Sequence, residues 1–339
     1  MRNAELNGTL LIMKRTLTLA LVLILSASCL AQQHPGAEEF AAKAASEHQL
    51  DQEEVILLLQ DARFKQSIVN AMSRPAEGKP WHEYRPIFIT DKRIRGGVEF
   101  WRENEALISK ASETYGVDPQ IIVAIIGVET FYGGNTGSYR VLDALATLSF
   151  YYPDTGNDRS GFFSRELMHF IVLGDEEGLP LREVTGSYAG AMGMGQFMPS
   201  SYREYAVDLD GDGRRDLWSS MDDVIGSVAN YLHRHGWAYG KPVTYRATVS
   251  DGADMELVSR RDFKASLTVG ELAEGGFTSR VPVSEDTLAA VARLEEDESD
   301  TYWLTFGNFY VITRYNRSPL YAMAVFELSE AILAGLEGR

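Results

Sequence analysis

Apolar residues recur at helical spacing along most of this chain, and the breaks between the runs are marked by proline, glycine and capping residues. Over residues 37–72, Phe40, Leu50, Val55, Ile56, Leu59 and Phe64 alternate with charge. This predicts a leading helical segment, which Pro75, Gly78 and Pro80 interrupt. From 98 to 115, Phe100, Trp101, Leu107, Ile108 and Ala111 fit one face of a helix that stops at Gly116. Asp118-Pro119 then opens another helix, with Asp suited to cap free amides and Pro to the first turn. Its body, Ile121-Ile122-Val123-Ala124-Ile125-Ile126-Gly127-Val128, is apolar on every side and ends before Gly133-Gly134, so it must be buried all round. Further helices are expected over 143–151, 162–173, 223–235 (ending on Gly236) and 319–336 (capped by Ser318). Between 241 and 298 the pattern changes, and the alternation from Val243 to Val249 predicts short strands. The chain therefore reads as mainly α with a small α+β insertion. A helical segment occupies 32–95, a core 96–240, the insertion 241–301, and a return to the helical body 302–339.

With 45% hydrophobic and 11% aromatic residues in 339, the chain can bury a large core. Its formal charge of −16, from 48 acidic against 32 basic residues, excludes nucleic acid as a partner. Residues 1–31 read as an export signal: Met13-Lys14-Arg15, an apolar run from Leu17 to Leu25, then Ser26-Ala27-Ser28-Cys29. The run is short for a membrane span. Cys29 is the single cysteine, which excludes an internal disulfide. It either carries a lipid that attaches the protein to a membrane or is removed by cleavage near Ala31.

Three places carry candidate chemistry. Glu129 follows the buried apolar run at the C-terminal end of its helix, where burial and the negative end of the helix dipole both oppose ionisation. Such a carboxyl is tuned toward general acid work, unless it simply turns to solvent as the helix emerges. Downstream, the stretch Gly186-Ser187-Tyr188-Ala189-Gly190-Ala191-Met192-Gly193-Met194-Gly195-Gln196-Phe197 allows a ligand close to the backbone, or else tight packing. Aromatic side chains, which suit sugar rings as well as cores, are dense at Tyr84, Phe131, Tyr132, Tyr151, Tyr152, Tyr231, Tyr315 and Tyr321. Third, Asp208-Leu209-Asp210-Gly211-Asp212-Gly213 matches the opening of an EF-hand calcium loop. Ser219 stands where that loop's closing Glu belongs, and the next acids are Asp222 and Asp223. His233 and His235, two apart on a helix, make a poor zinc pair and are read as structural.

Several ordered blocks between Tyr84 and Met323 resemble the membrane-bound lytic murein transglycosylase B group, glycoside hydrolase family 103. They are Tyr84-Arg85 with Phe88-Ile89-Thr90, Ile125-Ile126-Gly127-Val128-Glu129-Thr130, Leu142-Asp143-Ala144-Leu145-Ala146-Thr147-Leu148-Ser149-Phe150, the glycine-rich stretch, and Ile312-Thr313-Arg314-Tyr315-Asn316. The resemblance implies a lysozyme-like core that acts on peptidoglycan glycan strands as a monomer in the periplasm, on the outer membrane if Cys29 is lipidated. It implies Glu129 as catalytic acid and base, with Tyr84, Ser187, Gln196, Tyr231, Tyr315, Asn316 and Tyr321 at the substrate site. It also implies a structural calcium ion on Asp208, Asp210, Asp212, the Arg214 carbonyl and Asp222, with Asp223 as the alternative closing ligand. The activity implied is intramolecular: the acid protonates the glycosidic oxygen and, as carboxylate, draws the proton from the muramic C6 hydroxyl, closing a 1,6-anhydro ring. Two departures stand out. Phe131-Tyr132-Gly133 replaces an Arg-Trp-Gly pattern, and Asp154-Thr155-Gly156-Asn157-Asp158 replaces a pair of arginines, with Arg159 as a substitute for one.

Overall fold

The computed structural model describes residues 33–73, 78–259 and 263–338. The export signal and Cys29 lie outside the described residues. The chain divides into two compact units, Met1–Arg63 and Phe64–Arg339, so the helices expected in one leading segment fall on both sides of this division. In the first unit, α1 (Ala37–His48) packs on α2 (Gln52–Asp61). Phe40, Ala41 and Ala44 are buried on the one, and Val55, Leu58 and Leu59 on the other. Asp51 caps α2 by accepting from the Glu54 amide at 2.9 Å.

The second unit is mainly helical. Its early helices are α3 (Gln66–Met72), α4 (Trp81–Phe88), α5 (Asp91–Glu103) and α6 (Glu105–Tyr115). The single helix expected over 98–115 is broken at Asn104, whose Nδ2 donates to the Phe100 carbonyl at 2.9 Å, a local bond that competes with helix continuation. The apolar helix is α7 (Pro119–Thr130), with every residue from Ile121 to Val128 buried. It packs against α5, α6, α11 (Met221–Arg234) and the closing helix α14 (Pro319–Leu336). Each fully buried Ile or Val contributes about 1.5–3 kcal/mol relative to exposure. Among the described residues α14 alone is long and apolar enough to cross a membrane, but it packs on α7, α5 and α4 as a core helix.

Asp118 sits at the N-cap of α7 without capping it. Its carboxylate instead accepts from the Trp237 indole at 2.8 Å and from the Gly240 amide at 3.1 Å, tying the start of α7 to the turn that leads into the insertion. The insertion is a five-stranded antiparallel sheet in the order β4-β6-β7-β3-β5, with β3 Thr244–Val249, β4 Leu267–Thr268, β5 Phe277–Ser279, β6 Leu288–Leu294 and β7 Thr301–Thr305. A short helix, α12 (Val269–Glu274), covers it, closed by a reciprocal capping box between Thr268 and Glu271. Phe277, Leu272, Val291, Leu304 and Phe306 form its own small core. Because Thr305 pairs with Thr244, the sheet runs on to Thr305, and the return to the helical body begins with α13 (Gly307–Tyr315).

Asp118→Ala removes the acceptor of two groups, one the indole of the buried Trp237. We expect a loss of about 1–3 kcal/mol, read from the urea midpoint. An unchanged midpoint would mean that the bridge carries no stability.

Candidate active site

Glu129 occupies the last turn of α7, partly exposed while its neighbours on the helix are buried. Helix termination there is abrupt. Phe131 and Tyr132 both adopt left-handed backbone, at φ 54° and 59°, and Gly133 follows at 86°. Only two other described non-glycine residues, Gln49 and Gln196, have positive φ. Such conformations cost about 1–3 kcal/mol each and persist only where the surroundings impose them.

Here the surroundings can be named. The Tyr132 ring packs against Gly127 so closely that a Cβ on Gly127 would lie 2.6 Å from it, and its hydroxyl donates to the Arg93 carbonyl at 2.9 Å. Burial pushes that phenol's pKa well up, so it remains a donor. Arg93 Nε donates to the Gly127 carbonyl at 3.1 Å and its Nη1 to the Ile87 carbonyl at 2.6 Å, placing a cation on the negative end of α7. Thr130, 1% exposed, donates from Oγ1 toward the carbonyls of Ile126 (3.2 Å) and Met194 (2.9 Å) and accepts from the Gly133 amide at 3.0 Å. Phe131 has Lys92 and Arg93 over its ring at 5.1 and 5.2 Å.

A wall of tyrosines faces Glu129. Tyr321, on the first turn of α14, donates to Glu129 Oε1 at 2.7 Å. Its start is fixed by Ser318, which caps the helix through the Tyr321 amide. Tyr315, at the end of α13, lies parallel to Tyr321 with ring centres 6.5 Å apart and donates to the Gly195 carbonyl at 2.6 Å. Burial first, then the nearby Glu129 charge, raises the pKa of both phenols. Both therefore stay protonated and act as donors at neutral pH. Tyr231 supports Tyr315 from α11 at 4.7 Å and donates to the Arg314 carbonyl at 2.6 Å. Tyr84 is buried between Trp81 and Phe88 on α4, close enough to act electrostatically on Tyr321. Asn316 ends α13.

The glycine-rich stretch folds as a compact loop beside β2 (Thr185–Gly186), which pairs with β1 (Tyr139–Arg140). Met192 and Phe197 exchange two backbone bonds of 2.9 Å. Ser187 Oγ accepts from the amides of Ala189 and Ala191, so its side chain shapes the loop. Gln196, at φ 51°, donates from Nε2 to the carbonyls of Thr136 and Gly193. Gly193 has φ 68°, and a Cβ there would fall 2.5 Å from the Leu217 carbonyl, so no other residue fits. The other buried carboxylates among the described residues are engaged elsewhere: Asp143 with Lys65 and Arg140, Glu166 with Ser200, and Asp223 with backbone amides.

Asp208, Asp210 and Asp212 converge, each offering a carboxylate oxygen within 4.8 Å of the others. Three oxygens so placed suit a hard cation that prefers six to eight oxygen ligands. Asp222 faces Lys110 at 3.7 Å, whereas Asp223 receives the amides of Leu209 and Asp216, both at 2.8 Å, and so clamps the two arms of the loop. Arg214 lies on the same loop, its amide bonded to Asp212 Oδ1. His233 and His235 each contact a backbone carbonyl, of Tyr115 and Tyr231. Arg159 lies over the rings of Phe162 and Phe163 at the start of α9 (Ser160–Glu177).

The resemblance groups Glu129, Tyr315, Tyr321 and Gln196 at one site; Thr130 and Arg93 were not singled out, and Tyr132 was named only as one of the aromatic residues suited to sugar rings or cores. The signal for Tyr132 was a bulky aromatic directly after a helix that contains a glycine. Nothing local marked Arg93, which reaches the site from a different helix.

Residues 32–330 match the family model described as the transglycosylase SLT domain. The chain is 42% identical over 310 residues to membrane-bound lytic murein transglycosylase B of Escherichia coli K12, an alignment covering 88% of this chain and 83% of that protein. Among solved structures it resembles the soluble lytic transglycosylase SltB1 of Pseudomonas aeruginosa, with a TM-score of 0.82 and 46% identity over 90% of this chain and all of that one (100%). It also resembles the Escherichia coli lytic transglycosylase Slt35 in complex with calcium, with a TM-score of 0.80 and 40% identity over 90% of this chain and 95% of that one.

Gly127→Ala separates propensity from packing. Alanine in an exposed helix gains about 1 kcal/mol over glycine, but the added Cβ would meet the Tyr132 ring at 2.6 Å. Overpacking costs about 1–3 kcal/mol, so the variant should melt lower than the parent, and adding Tyr132→Ala should cancel the Gly127→Ala increment. A higher melting temperature for Gly127→Ala alone would refute the wedge.

Proposed function

This chain belongs to the family that carries the transglycosylase SLT domain, and on that premise we propose that it cuts peptidoglycan glycan strands with Glu129 as the single acid and base. The protein is a lytic transglycosylase, a lysozyme-like enzyme of the cell wall. The observation that carries the assignment of Glu129 is its 2.7 Å bond from Tyr321 at the end of a buried helix, while the fully buried carboxylates among the described residues, Asp143, Glu166 and Asp223, are paired elsewhere. Enzymes that hydrolyse glycosides through two carboxylates need a second one beside the scissile bond. With Glu129 as acid and base in turn, the intramolecular route needs no second carboxylate.

In that route Tyr321 donates to Glu129 Oε1 and holds the carboxyl in place. The Glu129 carboxyl protonates the glycosidic oxygen as the bond between muramic C1 and that oxygen breaks. The resulting carboxylate accepts the proton of the muramic C6 hydroxyl while O6 closes on C1. No water is consumed, and the product is a 1,6-anhydromuramic end. Tyr315 and Gln196 brace the loop opposite Glu129, and we assign them with Ser187, Tyr231, Asn316, Tyr84 and Tyr321 to the walls that position the sugars.

We assign a structural calcium ion to Asp208, Asp210, Asp212 and the Arg214 carbonyl, closed by Asp222. Asp223 is already committed to two amides. The calcium complex of the related Escherichia coli enzyme supports this reading. Bound there, the ion supplies charge neutralisation to the loop that precedes α11. The leading 31 residues place the enzyme in the periplasm, with Cys29 as its lipid anchor or removed on cleavage.

Glu129→Gln keeps the shape of the side chain and should abolish release of anhydro-muropeptides from purified sacculi, measured by mass spectrometry. Products heavier by one water in the parent digest would identify a hydrolytic muramidase instead. Calcium should raise the melting temperature of the parent, and Asp208→Ala with Asp212→Ala should erase that rise. Identical melting curves with and without calcium would reduce the loop to an acidic turn.

A further inference from the structure

The carboxyl of Glu129 can act only if it meets the glycosidic oxygen, yet Glu129 stands at a helix end, where chains ordinarily fray. Its bond from Tyr321 fixes one oxygen but not the direction in which the helix end points. The residue that fixes the helix end is the next one along. Thr130 is 1% exposed, and its hydroxyl joins three segments at once. It reaches back to Ile126 in its own helix, forward to the Gly133 amide that closes the left-handed turn, and across to the Met194 carbonyl in the glycine-rich loop. The main chain of Thr130 is engaged as well, its carbonyl accepting from Asn135 at 2.8 Å.

The partner across the gap is itself anchored. Met194 donates its amide to the Leu217 carbonyl at 2.8 Å, and Tyr315 donates to the neighbouring Gly195 carbonyl at 2.6 Å. Gln196, two residues beyond Met194, is held in a left-handed conformation by its own bonds to Thr136 and Gly193. The loop is thus a fixed frame, and the Thr130 hydroxyl links that frame to the end of α7.

We propose that Thr130 is a positioning residue of the reaction, setting Glu129 against the glycine-rich loop through its hydroxyl and not through its bulk. The inference rests on Glu129 being the acid. A hydroxyl in this role affects the approach to the transition state more than ground-state binding of the long glycan, which is held by many contacts. A misplacement of about 1 Å costs on the order of a hundredfold in rate.

The test compares Thr130→Val, which keeps the shape and removes the hydroxyl, with Thr130→Ser, which keeps the hydroxyl. Turnover and KM are measured on purified peptidoglycan strands well below the melting temperature, with the folded fraction checked by circular dichroism. We expect kcat of Thr130→Val to fall roughly tenfold to a hundredfold with KM within about twofold. Thr130→Ser should stay within about threefold of the parent. Should Thr130→Val not fold, Thr130→Ala replaces it with the same expectation. A parental kcat in the hydroxyl-free variant overturns the proposal, as does an equal loss in Thr130→Ser. Glu129→Gln run in parallel separates the two readings, because activity surviving in that variant would overturn the assignment of the acid and not the geometry around it.

Discussion

A helix with apolar side chains on every side has no face to offer to water, and α7 can exist only inside a cage of other helices. That constraint organises the catalytic unit. α5, α6, α11 and α14 each contribute a face to it. The cage is open at one end, where the chain must turn sharply, and there the sequence places Glu129, the proposed acid. The carboxyl is thus delivered by a rigid element to the edge of a dry core, a combination that a surface loop could not provide.

The turn after the acid is costly, and several contacts offset that cost together. Phe131 and Tyr132 accept an unfavourable backbone because Tyr132 fills the space over Gly127, Arg93 occupies the Gly127 carbonyl, and Thr130 closes the ring to Gly133. The half-buried cation of Arg93 also answers the electrostatic problem of a carboxylate at the negative end of a helix. Opposite stand phenols that burial keeps protonated, so that the wall facing the acid consists of donors and not of further negative charge.

The helices around the core were legible because their periodicity is strong, and α14 runs from Pro319 to Leu336 as its pattern and Ser318 cap predict. Glu129, the proposed acid, stood out for the opposite reason: it violates the pattern around it, and violations concentrate at functional sites. What escaped was set by distance along the chain. Asp118 reads as a helix cap, yet its carboxylate goes to Trp237 and Gly240, partners about 120 residues away that no local rule connects to it. Arg93 likewise reads as a surface cation in a short charged run, and only the fold turns it onto the carbonyls of α7. The acidic loop was visible as a motif, but the division of labour between Asp222 and Asp223 depends on which of them receives the loop amides.

The bond from Tyr321 to Glu129 spans 192 residues, with the whole sheet insertion lying between its ends. A ribosome releases the acid long before it releases the phenol that aligns it. Until α14 docks, the cage around α7 lacks one wall and Glu129 lacks its donor. The donor to Glu129 thus arrives with the closing helix, after nearly all of the rest of the chain has been made.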